Sequence, residues 1–135
     1  MHPADHVTGL APRGELQAAL ERLAGQGGPC ALVICDVVGL KAVNERDGFL
    51  AGDAVLRQAA ERLRAAAGSE LSARLGGDEL VAVFTGPDAA AAARRAAASL
   101  AAPGTPPLRS AAVSAGPNEA PGPLLERLYA TMRRS

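Results

Sequence analysis

Apolar residues recur every three or four positions in several stretches of the chain, which is the spacing of a helix with one buried face. The pattern predicts helices over 14–25, 53–67, 88–101 and 123–133, with a short additional helix over 40–46. Shorter runs are continuously apolar or alternate with polar residues, as expected of strands. They predict strands over 30–36, 72–75, 80–85 and 108–114.

The order of these elements is strand, helix, hairpin, helix and strand, which is typical of a ferredoxin-like α+β sandwich. We expect a mixed or mainly antiparallel central sheet with helices packed on one face. Proteins with unrelated functions share this architecture, so the function has to come from particular side chains.

Acidic residues stand where two predicted strands end or turn. Asp36 closes the apolar run 30–36, and Asp78 lies in the presumed hairpin turn after a pair of glycines. In a palm-like sheet these strands are neighbours, so the two carboxylates would repel each other unless a cation lay between them. Mg²⁺ prefers a few carboxylates together with water and phosphate oxygens. The alternative is that Asp36 caps a short helix and Asp78 is an ordinary turn residue.

The turn sequence Gly76-Gly77-Asp78-Glu79 has more glycine than a hairpin requires. Glycine adopts backbone conformations closed to other residues and lets a ligand approach the backbone closely. The pattern therefore indicates either a ligand-binding turn or a plain hairpin with solvated charges.

Composition narrows the classes of function. Apolar residues make up 48% of the chain, which indicates a folded domain, but aromatic residues make up only 2%, so the core has to consist of Ala, Leu and Val. The formal net charge of zero argues against a binder of polymeric nucleic acid, while a small phosphorylated ligand remains compatible. No apolar stretch approaches the length of a membrane span and no signal peptide is recognisable, so we expect a cytoplasmic protein without membrane contact. Cys30 and Cys35 are an odd number of positions apart in one strand, which places them on opposite faces and argues against a disulfide.

Together these positions follow one known pattern. The stretch 36–53, DVVGLKAVNERDGFLAGD, and the later GGDEL at 76–80 resemble the GGDEF domain of diguanylate cyclases. Further matches are the segment DHVTGLAPR at 5–13, Arg74, Ser114-Ala115-Gly116 and Leu128-Tyr129. The resemblance covers nearly the whole chain. It implies a ferredoxin-like palm fold and a single domain over 1–135, with an N-terminal segment 1–13 and a shortened C-terminal helix region 117–135.

The resemblance also implies a GTP site that uses Mg²⁺ or Mn²⁺. The implied metal ligands are the side chains of Asp36, Asp78 and Glu79 and the carbonyl of Val37. The implied catalytic residues are Asp78 as base, Glu79 in support and Lys41 on phosphate. The implied substrate-binding residues are Asn44 and Asp53 at the guanine edge, Gly76 and Gly77 against the nucleotide, and Leu40 and Arg133. The alternatives are that Lys41 is merely solvated, Asn44 shapes a turn, and Asp53 caps the helix 53–67.

Several positions depart from the family pattern. Val38 stands where the family has a second acid after Asp36, and Leu40 stands where it usually has an aromatic residue. Phe49 replaces the usual histidine, and Leu80 replaces the phenylalanine that ends the GGDEF motif. None of them removes an implied metal or guanine ligand. Leu80 is a tolerable apolar exchange if its side chain points into the core.

The C-terminal helix region departs further. Met132 stands at the family's phosphate-binding lysine, and Arg133 or Arg134 is the candidate substitute. The family's inhibitory product site is an R-x-x-D motif, for which this chain has Ala67 and Glu70, so we do not expect feedback inhibition through that site.

Three functions follow from this pattern. The first is a diguanylate cyclase that condenses two GTP molecules into cyclic di-GMP and pyrophosphate, with a homodimer required for turnover. The second is a non-catalytic module that binds GTP or a regulatory protein partner. The third is a related palm enzyme that makes another linear or cyclic nucleotide.

Overall fold

A computed structural model describes residues 3–68 and 71–134 of the chain. All predicted helices and strands are present, with boundaries that differ by a few residues. The largest difference is at the third helix, which begins four residues earlier than the apolar pattern indicated. In chain order the elements are α1 (Arg13–Gln26), β1 (Cys30–Val37), α2 (Leu40–Asp47), α3 (Phe49–Ala67), β2 (Ser72–Arg74), β3 (Glu79–Thr85), α4 (Ala89–Ala101), β4 (Leu108–Ser114) and α5 (Pro121–Arg133).

The four strands form one sheet in the order β2-β3-β1-β4, and every neighbouring pair is antiparallel. This confirms the expected antiparallel α+β architecture. The strand β1 lies inside the sheet and is buried along its whole length, which explains why its sequence is almost continuously apolar.

Helices cover both faces of this sheet, so the expectation of helices on one face was wrong. Successive side chains of β1 alternate between the faces: Val33 and Cys35 pack against α3 and α4, whereas Leu32 and Ile34 pack against α1 and α5. Both sets are apolar, and each therefore needs its own helical layer.

The cysteines lie where the strand pattern put them. Cys30 and Cys35 are buried on opposite faces of β1 and form no disulfide. Burial raises the pKa of the Cys35 thiol to about 12, with a smaller contribution from the charge of Asp36. Cys35 is therefore an inert core side chain rather than a nucleophile.

The core is built mainly from leucine, valine and alanine, as the low aromatic content predicted. The small side chains of α4 let this helix lie close to the sheet, where Ala93 and Ala96 are buried. Within residues 3–68 and 71–134, none of the helices is both long enough and apolar enough for a membrane span.

The start of β4 is fastened to the end of β1. The backbone N–H of Val38 donates to the carbonyl of Pro107 at 2.9 Å, and the guanidinium of Arg62 on α3 donates to the carbonyls of Pro106 and Leu100. These bonds hold the loop before β4 in place and so fix which residue of β4 lies beside Asp36.

Candidate active site

Three charged side chains meet at one end of the sheet. In the register of the strands, Asp36 of β1 lies opposite Glu79 of β3 on one side and opposite Arg109 of β4 on the other. Directly paired residues of antiparallel strands project to the same face, so these side chains are neighbours. The prediction that the strand of Asp36 adjoins the GGDE hairpin is confirmed.

Asp36 is held by a bidentate ion pair. The Nε and Nη2 atoms of Arg109 donate to its Oδ1 and Oδ2 at 3.1 and 2.7 Å. The Asp36 side chain is 11% exposed and the Arg109 side chain 50%. The hydrogen bonds to Asp36 and the negative charge of Asp36 raise the pKa of Arg109, and the charge of Asp78 makes a smaller contribution in the same direction. Sequence reasoning missed Arg109, because only the pairing of β1 with β4 brings it to this site.

Glu79 lies half-buried at the base of the turn. Burial raises the pKa of its carboxyl group, and hydrogen bonding to Asp78 and the charge of Asp78 raise it further. The hydroxyl of Tyr129 on α5 donates to its Oε1 at 3.2 Å, which partly offsets these effects. Asp78 and Glu79 therefore form a crowded pair of acids at the turn, as expected where a cation is to be bound.

The two turn glycines serve different purposes. Neither has a positive φ, so the expected special backbone conformation is not observed. A Cβ atom on Gly76 would lie 2.0 Å from Oε1 of Glu79, whereas one on Gly77 would have no atom within 4 Å. Gly76 thus leaves room for the carboxylate of Glu79, which would have to move if residue 76 carried a Cβ atom, and Gly77 leaves an open surface beside Asp78.

Arg74 connects this turn to the N-terminal segment. Its guanidinium donates to the carbonyl of Gly77 at 2.7 Å and pairs with the carboxylate of Asp5 at 3.2 Å. That carboxylate also accepts bonds at 2.8 Å from the backbone N–H and the hydroxyl of Thr8. The segment around Asp5 therefore braces the turn through Arg74.

A cavity of about 350 Å³ opens next to the turn, between α2, α3 and the hairpin. Its volume is within the range of small-molecule sites. It brings together six of the residues predicted to bind substrate or metal, and adds three: Phe49, Leu56 and Arg74. The full lining is Leu40, Lys41, Asn44, Phe49, Asp53, Leu56, Arg74, Gly77 and Asp78.

Asp53 and Asn44 stand on the two helices that border this cavity. Because α3 begins at Phe49, Asp53 lies inside the helix and does not cap it, which removes the capping interpretation. Asn44 lies in α2 with its side chain against the backbone of Gly52, where a Cβ atom would be 1.7 Å from Oδ1. Asn44 therefore occupies space that only glycine at position 52 leaves free.

Lys41 and Arg133 are the predicted residues least tied to the site. The Lys41 side chain is 91% exposed, with Nζ 4.0 Å from Glu45, so it lies in solvent at the cavity mouth. Arg133 is exposed in the last turn of α5 and is not part of the cavity lining. Met132, for which the resemblance implies the position of a phosphate-binding lysine, is buried in the core beneath α5.

The inhibitory-site positions are described only in part. Ala67 is buried in α3, and Glu70 lies outside the described residues. The expectation that this site is lost stays a prediction.

The oxygen donors at this end of the sheet suit a metal ion that keeps water and phosphate ligands. In the part of the chain that the structure describes, no three His, Cys, Asp or Glu side chains are grouped closely enough to hold a metal by themselves. Mg²⁺ does not require such a cage, since it is usually bound by one or two carboxylates together with water and substrate phosphates. Asp36, Asp78 and the Val37 carbonyl are all hard oxygen donors, so their chemistry fits Mg²⁺ or Mn²⁺.

Comparison with known proteins decides the family. Residues 3–114 match the sequence profile of the family described as "Diguanylate cyclase, GGDEF domain". The chain belongs to the GGDEF family. The shortened C-terminal region 117–135 lies beyond the matched residues.

Known proteins resemble the chain in sequence or in fold. An uncharacterized protein of Mycobacterium tuberculosis is 45% identical over 96 residues, which is 67% of this chain but only 15% of that relative. The GGDEF domain of DgcB from Caulobacter crescentus, solved in complex with c-di-GMP, superposes with a TM-score of 0.81 at 22% identity, covering 98% of this chain and 89% of DgcB's. Diguanylate cyclase SiaD from Pseudomonas aeruginosa, solved with its activator SiaC, gives 0.80 at 22% identity over 97% of this chain and 56% of SiaD's. At these identities the two structures establish the shared fold.

Proposed function

We propose that this GGDEF domain is a diguanylate cyclase that converts two GTP molecules into cyclic di-GMP and two pyrophosphates. One observation carries the proposal: Asp36, Asp78 and Glu79 lie at one end of the sheet, beside a cavity that Asn44 and Asp53 border. Family membership supports the reaction class, and the active unit is proposed to be one domain over residues 1–135.

Asp36, Asp78, Glu79 and the Val37 carbonyl would hold the divalent ion. When bound, such an ion lowers the pKa of an attacking hydroxyl and stabilises the charge of departing pyrophosphate. The 3′-oxygen of one GTP forms a bond to the α-phosphorus of the other, and the bond from that phosphorus to the β-phosphate oxygen breaks. The hydroxyl proton passes to the carboxylate of Asp78, and a second, equivalent step closes the ring.

Guanine is proposed to bind between α2 and α3. The amide of Asn44 can both donate and accept, and the carboxylate of Asp53 accepts from N–H groups of the base. A site built from such partners rejects a base whose donors and acceptors do not match. Lys41, solvated at the cavity mouth, would turn onto the phosphates, while Gly77 leaves the backbone open to the nucleotide.

Closure of the ring requires two bound GTP molecules face to face, so we propose that two copies of the chain assemble for turnover. A regulatory partner is also proposed, because SiaD, a structural neighbour, is solved with an activator protein.

A non-catalytic GTP-binding module is the second candidate. It is favoured by the buried apolar side chain of Met132 at the family's phosphate-binding position. The two candidates differ in whether pyrophosphate is released from bound GTP.

The test is turnover of purified protein with GTP and Mg²⁺ or Mn²⁺, with nucleotide products identified by mass spectrometry. Asp78→Ala should abolish product formation and leave the circular dichroism melting curve in place. Asp88→Ala is the matched control, because Asp88 is an exposed acid before α4 that makes no capping bond with its side chain. Full turnover by Asp78→Ala would refute the mechanism. Bound GTP without pyrophosphate release would favour the second candidate. A different dinucleotide product would show that the enzyme has another product specificity.

A further inference from the structure

Arg109 is paired with Asp36, whose carboxylate is proposed to bind the metal. Both oxygens of Asp36 accept bonds from its guanidinium, at 2.7 and 3.1 Å. Bidentate arginine–carboxylate pairs of this length are among the stronger hydrogen-bonded ion pairs in proteins. A cation approaching Asp36 therefore meets a carboxylate whose two oxygens are both already engaged.

The position of Arg109 is set by the fold rather than by its own flexibility. It is the direct cross-strand partner of Asp36, and the following residue, Ser110, donates from its hydroxyl to the carbonyl of Ile34 at 2.9 Å. The base of the side chain is thus fixed, while half of the side chain is exposed, which leaves the guanidinium room to turn if its bonds to Asp36 are broken. Arg109 can move its guanidinium without any change in the sheet.

The phosphates of a bound nucleotide would be a second partner for the guanidinium of Arg109. Asp78 lies near enough for its charge to act on Arg109, and Asp78 also lines the cavity next to the turn. A nucleotide in that cavity would bring its phosphates to the same cluster of acids. Phosphate is the anion that a guanidinium binds as readily as a carboxylate, again by two parallel bonds.

The phosphate end of the site otherwise has few cations in the described residues. Lys41 is solvated, and Met132 is apolar and buried. Arg74 lines the cavity, but its guanidinium is already bonded to Asp5 and to the carbonyl of Gly77. A triphosphate therefore needs a further positive group, and Arg109 is the cation already joined to the acidic cluster.

We propose that Arg109 is a built-in counter-ion of Asp36 that a divalent ion must displace, and that the displaced guanidinium binds the triphosphate of the nucleotide. This inference rests on the proposed function, since it takes Asp36 as a metal ligand. Metal and triphosphate then assist each other: the ion frees Arg109 for phosphate, and phosphate draws Arg109 away from Asp36. Such coupling is reciprocal by thermodynamic necessity.

The chain provides a matched control for this pair. Arg127 on α5 makes a bidentate bond to Glu119 at 2.7 and 2.9 Å, with a side chain 48% exposed. Its pairing geometry and exposure are close to those of Arg109, with one additional bond from Nη2 to the carbonyl of Ser114 at 2.7 Å, but its partner is not a proposed metal ligand. A general effect of losing an arginine–carboxylate pair would appear equally in both variants.

The first measurement is calorimetric titration of the purified chain with Mn²⁺ in the absence of nucleotide. Arg109→Gln is expected to bind Mn²⁺ on the order of tenfold more tightly than wild type. Arg127→Gln should bind it like wild type. Arg109→Lys, which keeps the charge but loses the planar fork, should fall between. A role of Arg109 in stability alone would lower the melting temperature and leave the Mn²⁺ affinity unchanged, and that result would overturn the proposal.

The second measurement is binding of 3′-deoxy-GTP, which lacks the attacking hydroxyl, at saturating Mn²⁺, with guanosine as the ligand that lacks phosphates. Arg109→Gln should lose about tenfold in affinity for 3′-deoxy-GTP and none for guanosine. Equal 3′-deoxy-GTP affinities would overturn the assignment of Arg109 to the triphosphate. If neither wild type nor variant binds Mn²⁺, the metal site of the proposed function fails together with this inference. If both bind it with equal affinity, only this inference fails.

Discussion

A methyl group at residue 52 offers a direct test of the guanine-binding role proposed for Asn44. In Gly52→Ala the new Cβ atom would lie 1.7 Å from Oδ1 and 2.8 Å from Cγ of Asn44. Both atoms belong to the end of a side chain, so Asn44 has to rotate away while α2 and α3 keep their backbones. The substitution thus displaces the amide without changing Asn44 itself.

This change is expected to weaken GTP binding while leaving stability nearly unchanged. Alanine is more favourable than glycine inside a helix by about 1 kcal/mol, which offsets the rearrangement of Asn44. The free energy of unfolding should therefore remain within about 1 kcal/mol of wild type. GTP loses the partner for its base edge, and an unpaired polar group costs about 1–3 kcal/mol. This corresponds to roughly 5- to 150-fold weaker binding.

Gly25→Ala is the control, because Gly25 also lies in a helix and a Cβ atom there would have no neighbour within 4 Å. GTP affinity is measured by calorimetry and stability by thermal melting. The double variant Gly52→Ala with Asn44→Ala should bind GTP no more weakly than Asn44→Ala alone, since both changes remove one contact. Wild-type affinity in Gly52→Ala would refute the guanine-binding role of Asn44. Additive losses in the double variant would show that Gly52 acts by another route.

Two further predictions concern stability. The hydrogen bond from Arg127, followed by that from the N–H of Gly116, lowers the pKa of Glu119 from 4.5 to about 2. A carboxyl group whose pKa is lowered by folding stabilises the protein above its unfolded pKa, and this stabilisation is lost as the pH falls through the folded pKa. Wild type should therefore be more stable than Glu119→Gln at neutral pH by at most about 1 kcal/mol, and thermal melting should show this advantage disappearing between pH 4.5 and about 2. A constant difference across this range would contradict the assignment. Leu128→Ala, at a fully buried position of α5, should lower the free energy of unfolding by about 2–5 kcal/mol in urea titration, whereas Leu50→Ala, 84% exposed, should change it by less than about 0.5 kcal/mol. Equal effects at the two positions would refute the assignment of α5 to the core.

Local periodicity in the sequence was enough to predict each helix and strand of the described chain. The period of the apolar residues records which face of an element is buried, and this is a property of neighbouring residues. The boundary of α3 was misjudged because Asp53 looked like a helix cap, whereas the helix already begins at Phe49. The spacing of motif residues along 36–53 and 76–80 likewise indicated the family before any contact was known.

The arrangement of the site required the tertiary structure. The ion pair of Asp36 with Arg109 joins residues 73 positions apart, and the bond of Glu79 with Tyr129 joins residues 50 apart. Sequence patterns contain no record of such pairs, because strand register is decided when whole strands align their apolar faces. For the same reason the helical layers on both faces of the sheet were missed, since each layer forms only where two apolar surfaces meet. The sequence by itself determined the elements, the family and the acids. The tertiary structure decided which cation lies against those acids, because that choice depends on the alignment of β1 with β4.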